Sequence, residues 1–251
     1  MIQTAIFFLP TRLIESAFPP TNYPTMSMKN LCCVLLFVFP LCVSVQGQEA
    51  LENTVAVEAE SGFVSLFDGT SLNGWKKAEE NSDAWQVVDG MLVCEGERCH
   101  LFYDGELAPL KNFHFKADVM TTPGSNAGIY FHTKYQATGW PKYGFECQVN
   151  VSHKDPKKTS SLYAVENVDA DQLAANGIQD NQWYTQEIIV KGNEVTLKVN
   201  GKTMVQYTQP EDQKAFDKSF ERLLGEGTFA LQAHDPMSKV YFKNLRVKPL
   251  D

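Results

Sequence analysis

The sequence predicts an all-β fold, a sandwich or barrel of antiparallel strands, and three observations predict it. About a dozen short runs rich in β-branched and aromatic residues alternate apolar with polar positions. Turn chemistry punctuates them roughly every 8–12 residues, most strongly at Asp89-Gly90 and Asn200-Gly201. Helical character is confined to one or two turns at Asp169–Asn176 and a polar stretch, Glu211–Leu224, compatible with a short helix. No βαβ alternation, glycine-rich phosphate loop or propeller-like repeat occurs, which removes the dinucleotide-binding, P-loop and propeller classes.

Taken in order, the folded part begins near Gly62 with a strand, Phe63–Phe67, followed by turn residues around Trp75. Trp85–Val88 and Met91–Cys94 form a hairpin about Asp89-Gly90, and His100–Tyr103 is a further short strand. In Phe113–Met120, Phe113, Phe115, Ala117 and Val119 share one face and His114, Lys116 and Asp118 the other. Ser160–Val165 is a strand candidate. Trp183–Val190, Asn193–Val199 and Lys202–Tyr207 follow as strands, the last two joined at Asn200-Gly201. Gly227–His234 and Lys239–Val247 close the domain.

The densest polar and aromatic pattern lies between Pro123 and Asn150. If Ala127–Thr133 is one regular strand, Tyr130 and His132 share a face and Ile129 and Phe131 the other. In the next run Gly144, Glu146 and Gln148 oppose Phe145, Cys147 and Val149. Each run therefore has an apolar face and a face of hydrogen-bonding groups. Tyr, His, Glu and Gln together suit the floor of a binding groove better than plain solvation, for which Lys, Ser and Thr serve.

Length and composition support one sizeable domain: 251 residues, 43% of them apolar. A net charge of −8 without a strong basic patch points away from nucleic acid. The Lys154, Lys157 and Lys158 cluster, interrupted by Asp155, reads as a solvated loop. Residues 1–25 resemble neither a targeting signal nor a folded element and read as a mis-assigned extension, with the start at Met26 or Met28. Residues 26–47 read as a signal peptide cleaved near Gly47, which places the protein outside the cytoplasm, periplasmic or secreted; a membrane anchor ranks second because the apolar run is shorter than the roughly 20 residues a spanning helix needs. Residues 48–61 are an acidic linker, and 62–251 the domain. The spacing of the six cysteines matches no zinc pattern; Cys94 and Cys99 are near enough in sequence for a local bridge, and Cys147 reads as a core residue.

Several phrases then occur together: Leu66-Phe-Asp-Gly-Thr-Ser-Leu-Asn-Gly-Trp75, Trp85-Gln-Val-Val-Asp-Gly90, Asn126-Ala-Gly-Ile-Tyr-Phe-His132, Tyr143-Gly-Phe-Glu-Cys-Gln148, Asn200-Gly201, Gly227-Thr-Phe-Ala-Leu-Gln-Ala-His234 and the ending Val240–Leu250. In this order they resemble the secreted bacterial 3-keto-disaccharide hydrolase domain family, over roughly 62–251. The resemblance implies a concanavalin A-like jelly-roll sandwich of two antiparallel sheets, with a sugar-binding groove on the concave sheet.

Ordinary glycoside hydrolysis uses two carboxyl groups flanking the bond. In glycosidases of this fold they usually share one strand, where this chain offers Glu146 and then Gln148 and Asn150. A 3-keto sugar needs less: its ketone acidifies the C2 hydrogen, one base removes it, the enolate expels the group on C1, and water adds later. The expected catalytic set is Glu146 or His132 as base with the other as partner, and His234 orienting substrate, stabilising the enolate or ligating a metal. Tyr130, Asn126, Gln148 and Gln232 are expected to hold hydroxyls, and Trp140 or Tyr143 to stack on a sugar ring. The sequence assigns no certain cofactor; a divalent metal stays open, with Glu146, His132 and His234 as its ligands if present. His114 and His153 read as structural histidines, Trp75, Trp85 and Trp183 as core, and Glu95 and Glu97 as solvated and neutralised by Arg98. The alternative function is a non-catalytic, lectin-like carbohydrate-binding module using the same groove; a surface adhesion domain is third.

Overall fold

The computed structural model describes residues 60–251. The expected extension 1–25, the expected signal peptide 26–47 and all but the last two residues of the expected linker lie outside the described residues. Thirteen strands follow in chain order: β1 (Val64–Ser65), β2 (Trp75–Lys77), β3 (Trp85–Val88), β4 (Met91–Glu95), β5 (Cys99–Tyr103), β6 (Phe113–Thr121), β7 (Asn126–Thr133), β8 (Phe145–Asn150), β9 (Tyr184–Lys191), β10 (Glu194–Val199), β11 (Lys202–Thr208), β12 (Thr228–Ala233) and β13 (Lys239–Pro249). The α-helix α1 (Ala170–Ala175) sits between β8 and β9, its N-terminus closed by a reciprocal Asp169–Gln172 capping box. All pairings are antiparallel. An eight-stranded sheet runs β11-β10-β9-β6-β13-β4-β3 with β1 on β13, and a five-stranded sheet runs β2-β5-β12-β7-β8. The protein is thus a sandwich of two antiparallel sheets.

Alternation decides what fills the space between the sheets. Phe113, Phe115, Ala117 and Val119 of β6 are fully buried, while His114 and Lys116 face outward. From the other sheet come Ile129 and Phe131 of β7, Phe145, Cys147 and Val149 of β8, and Phe229 and Leu231 of β12. The rings interlock edge to face, Phe113 against Phe229 at 4.9 Å between centroids. On the outer face His114 pairs with Glu187 at 2.8 Å, a structural contact that holds Glu187 down to about 2. The β3–β4 and β10–β11 hairpins turn where expected, with both Asp89-Gly90 and Asn200-Gly201 at positive φ, the backbone a type I′ turn requires.

Several local expectations are corrected. Ser160–Val165 is not a strand: Ser160 and Ala164 take left-handed φ, and the segment runs irregularly along the edge of β8, bonding through Ser160, Ser161 and Tyr163. Among the described residues Glu211–Leu224 contains no helix. Cys94 and Cys99 are free and buried, because they lie on strands of opposite sheets. Trp75 and Trp85 are core, but Trp183 is 37% exposed under Lys243. Arg98 does not neutralise Glu95 or Glu97; it binds Glu80 through two nitrogens at 3.0 Å, and Glu95 pairs with Lys239. Lys158 is buried rather than solvated, its ammonium donating to the carbonyls of His153 and Asp155.

Candidate active site

The outward face of the five-stranded sheet carries a cleft of about 220 Å³. Its floor is made by residues whose core-side neighbours were just described: Tyr130 on β7, Glu146 and Gln148 on β8, Gln232 on β12. Register brings them together, since Tyr130 pairs with Glu146, and Gly128 with both Gln148 and Gln232. Seven of the nine expected residues line this one cleft: Asn126, Tyr130, Trp140, Glu146, Gln148, Gln232 and His234.

Glu146 is the centre of the hydrogen bonding. Its Oε2 accepts from the Tyr130 hydroxyl at 2.9 Å, and its Oε1 from Gln232 Nε2 at 3.1 Å. With the Gln148 amide turned so that its nitrogen faces the carboxylate, it also donates to Oε1 at 3.1 Å and to the Ala127 carbonyl at 2.9 Å. These donors are all neutral, so they only partly offset desolvation, and burial pushes Glu146 up to about 7. The same burial, with the carboxylate beside it, holds the Tyr130 phenol well above its ordinary value, so it is a donor throughout.

Gly128 makes room for this carboxylate. A Cβ there would overlap Glu146 Oε1, the far end of a flexible side chain, and Gly128 has no positive φ. Gly128→Ala is therefore expected to displace the carboxylate and cut turnover by about 10²-fold, as misplacement of a reacting group by an ångström does. Thermal unfolding is expected to shift by only a few degrees; a collapse in stability with normal specific activity would contradict this role.

His132 does not join the site. It takes φ +55 at a break in the β7–β12 register, and one left-handed residue inside a strand reverses the alternation. The imidazole turns away from Tyr130 and packs edge-on against Phe113, 5.5 Å between centroids. Its Nε2 donates to the Lys111 carbonyl at 2.8 Å and its Nδ1 accepts the Gly225 N–H at 3.2 Å. Burial lowers its pKa, so it is a neutral structural histidine. Tyr143 also stands outside the lining, its ring covered by Lys134 and Lys142. The metal set Glu146, His132 and His234 is thereby dissolved. Among the described residues, the group whose ligand atoms converge within 4.8 Å is His153, His234 and Asp235. Within it His153 Nδ1 accepts the Asp155 N–H at 3.1 Å, so in neutral imidazole Nε2 carries the proton and is a donor, not a ligand.

Four polar side chains of the cleft lining are not among the expected residues: Lys142, Asp155, Tyr163 and Arg222. Arg222, at φ +48 in the coil before β12, lays its guanidinium 4.0 Å from the Phe216 ring, and its buried Nη1 has no protein partner. Asp155 and Tyr163 come from the loop after β8, which folds about Asn150: its amide donates to the Asp155 and Lys157 carbonyls at 3.0 and 2.9 Å. Tyr163 donates to Asp155 Oδ2 at 3.1 Å. Trp140 forms a wall, with Arg98 over one ring at 4.9 Å and His100 and His234 against it at 5.6 and 5.3 Å. Arg98 is fixed by Glu80, whose Oε1 also accepts the Gly139 N–H at 2.9 Å, so the loop carrying Trp140 is tied to the sheet.

The cleft offers a desolvated carboxylate, neutral hydroxyl and amide donors, two cationic donors, Lys142 and Arg222, and an aromatic wall. Two solved structures from Parabacteroides distasonis ATCC 8503, each provisionally named a glycosyl hydrolase, share the fold. One has a TM-score of 0.62 and 23% identity, over 76% of this chain and 94% of its own; the other has 0.57 and 19%, over 75% and 99%. Among curated proteins none matches the chain. Residues 62–248 match the family described as the 3-keto-alpha-glucoside-1,2-lyase-like domain, and the chain belongs to that carbohydrate-active β-sandwich family, the one its sequence motifs resemble.

Proposed function

We propose that the protein cleaves 3-keto-glycosides by removing the proton on C2, with Glu146 as the general base. The observation that carries this reading is a carboxylate at the cleft floor whose burial sets it near neutrality, where a base still accepts a proton yet is not fully protonated at working pH. No carboxylate follows on its strand, which continues with Gln148 and Asn150. In the proposed step the C2–H pair forms an enolate whose negative charge sits on the C3 oxygen. Arg222, a cationic side chain in the cleft lining, is the group assigned to bind that oxyanion. The enolate re-forms the ketone as C1=C2 forms and the C1–O bond breaks, leaving an unsaturated keto sugar to which water adds for net hydrolysis. Trp140 walls the ring, and Asn126, Gln148 and Gln232 are in reach of hydroxyls.

Because the base must be ionised, kcat/KM for a substrate whose aryl leaving group departs without a proton is expected to rise about tenfold per pH unit below neutrality and to level off above about 7. A pH–rate profile flat between pH 5 and 8 would contradict Glu146 as the base.

A second reading rests on Asp155, a further carboxylate in the cleft lining. Paired with Glu146 it would recreate the two-carboxylate arrangement of ordinary glycosidases. Against it, both Asp155 oxygens already serve the loop, Oδ1 accepting the Lys157 N–H at 2.9 Å and Oδ2 the Tyr163 hydroxyl. The lectin-like alternative uses the same cleft without the proton transfer. Carbohydrate as ligand is common to all three.

A further inference from the structure

A second titratable cluster borders the cleft apart from Glu146. His234 follows directly on β12, and its Nδ1 lies 2.7 Å from Asp235 Oδ2. That carboxylate is itself fixed: Oδ2 accepts from the Ser238 hydroxyl at 2.9 Å and Oδ1 from the Met237 N–H at 2.9 Å. His153 brings its Nε2, the protonated nitrogen, to 4.0 Å from the same Oδ2. A carboxylate oxygen only accepts, so His234 carries its proton on Nδ1, and Nε2 is the nitrogen left for the cleft that His234 lines.

Elimination from the enolate needs such a group. The alkoxide of a sugar or alkyl alcohol is a poor leaving group, and Glu146 is occupied with the C2 proton. We infer that His234, held by Asp235 with Ser238 and His153 behind it, is the acid that protonates the departing C1 oxygen. This rests on the cleavage reading above. In the step, imidazolium Nε2–H passes its proton to the aglycone oxygen as the C1–O pair leaves with it. His234 ends neutral on the Nδ1–H tautomer, still bonded to Asp235. One proton then returns from the Glu146 acid to His234 through solvent, so the C2 hydrogen of the substrate is balanced by the hydroxyl hydrogen of the released alcohol. Asp235 and His153 are positioning residues. Burial raises Asp235, but the bonds from His234, Met237 and Ser238 outweigh it and hold the carboxylate below its usual value. Burial, then the neighbouring His234, lowers His153.

The test compares two 3-keto-glucosides, one with an alkyl aglycone and one with 4-nitrophenol, which leaves without a proton. His234→Gln is expected to lower cleavage of the alkyl substrate by about 10²–10³-fold and of the nitrophenyl substrate by only a few-fold. Asp235→Asn is expected to show the same selective loss, smaller, and to move the imidazole nitrogen NMR shifts of His234 off the Nδ1–H pattern. Equal losses on both substrates, or none on either, would overturn the acid role, and His234→Gln decides it alone if Asp235→Asn does not fold. A wild-type protein that cleaves neither substrate would instead overturn the cleavage reading and the acid role with it, while the nitrogen shifts of the wild type still decide the tautomer assigned to His234.

Discussion

Glu146→Gln is expected to lower cleavage of a 3-keto-glycoside by about 10³-fold or more while leaving sugar binding within a few-fold. The amide is nearly isosteric, and the Tyr130 hydroxyl can rotate to accept from it, so the cleft keeps its shape; only the proton acceptor is gone. The same substitution is expected to make the protein harder to unfold at pH 8. The sign follows from the direction of the shift. Glu146 is raised from 4.5 to about 7, so its folded form resists ionising while the unfolded chain does not. Its contribution is undiminished below about 4.5 and is lost as pH rises through 7. Removing the charge should therefore raise the unfolding free energy by on the order of 2 kcal/mol at pH 8 and by little at pH 4. Unfolding curves of wild type and variant at the two pH values check this. A variant that retains turnover would contradict Glu146 as the base, and a variant less stable at pH 8 would contradict the desolvated carboxylate.

Gly144→Ala is expected to cost about 3 kcal/mol, a fall of about 10 °C in Tm, with activity lost through unfolding. Gly144 stands just before β8 at φ +71, and a Cβ there would overlap the carbonyl oxygen of Phe131 and crowd the His132 backbone at 2.7 Å. Neither obstacle can rotate away, because β7 is hydrogen-bonded on both sides. The contrast with Gly128 is instructive. Both glycines serve the β7–β8 pair, but one meets backbone and the other the tip of Glu146, so one substitution should read out in stability and the other in turnover. Calorimetry on both variants tests the pair; a Gly144→Ala protein with wild-type Tm would contradict the close backbone approach.

The sheets were legible because alternation survives wherever strands are regular. β6 shows it over its whole length, and Phe145, Cys147 and Val149 of β8 point inward while Glu146 and Gln148 point out. His132 was misplaced because alternation assumes a uniform backbone, and a single residue at φ +55 undoes it; no residue type at that position announces the break. Arg222, Asp155 and Tyr163 were invisible for a different reason. They lie on coil, where position is set by contacts such as those around Asn150 rather than by any period. The His153–Asp235 approach spans distant loops, so the histidine read as structural from its local surroundings turns out to border the cleft through its partner.

The most direct test of the central claim is to incubate the purified protein with a 3-keto-disaccharide and with its unoxidised parent, and to identify the products by mass and NMR. The account predicts cleavage of the keto sugar alone, with an unsaturated keto sugar, lighter by one water than the hydrolysis product, as the first species formed. Equal cleavage of both sugars would contradict it and favour Glu146 with Asp155 as an ordinary glycosidase pair; binding of either sugar without product would contradict it in favour of a lectin.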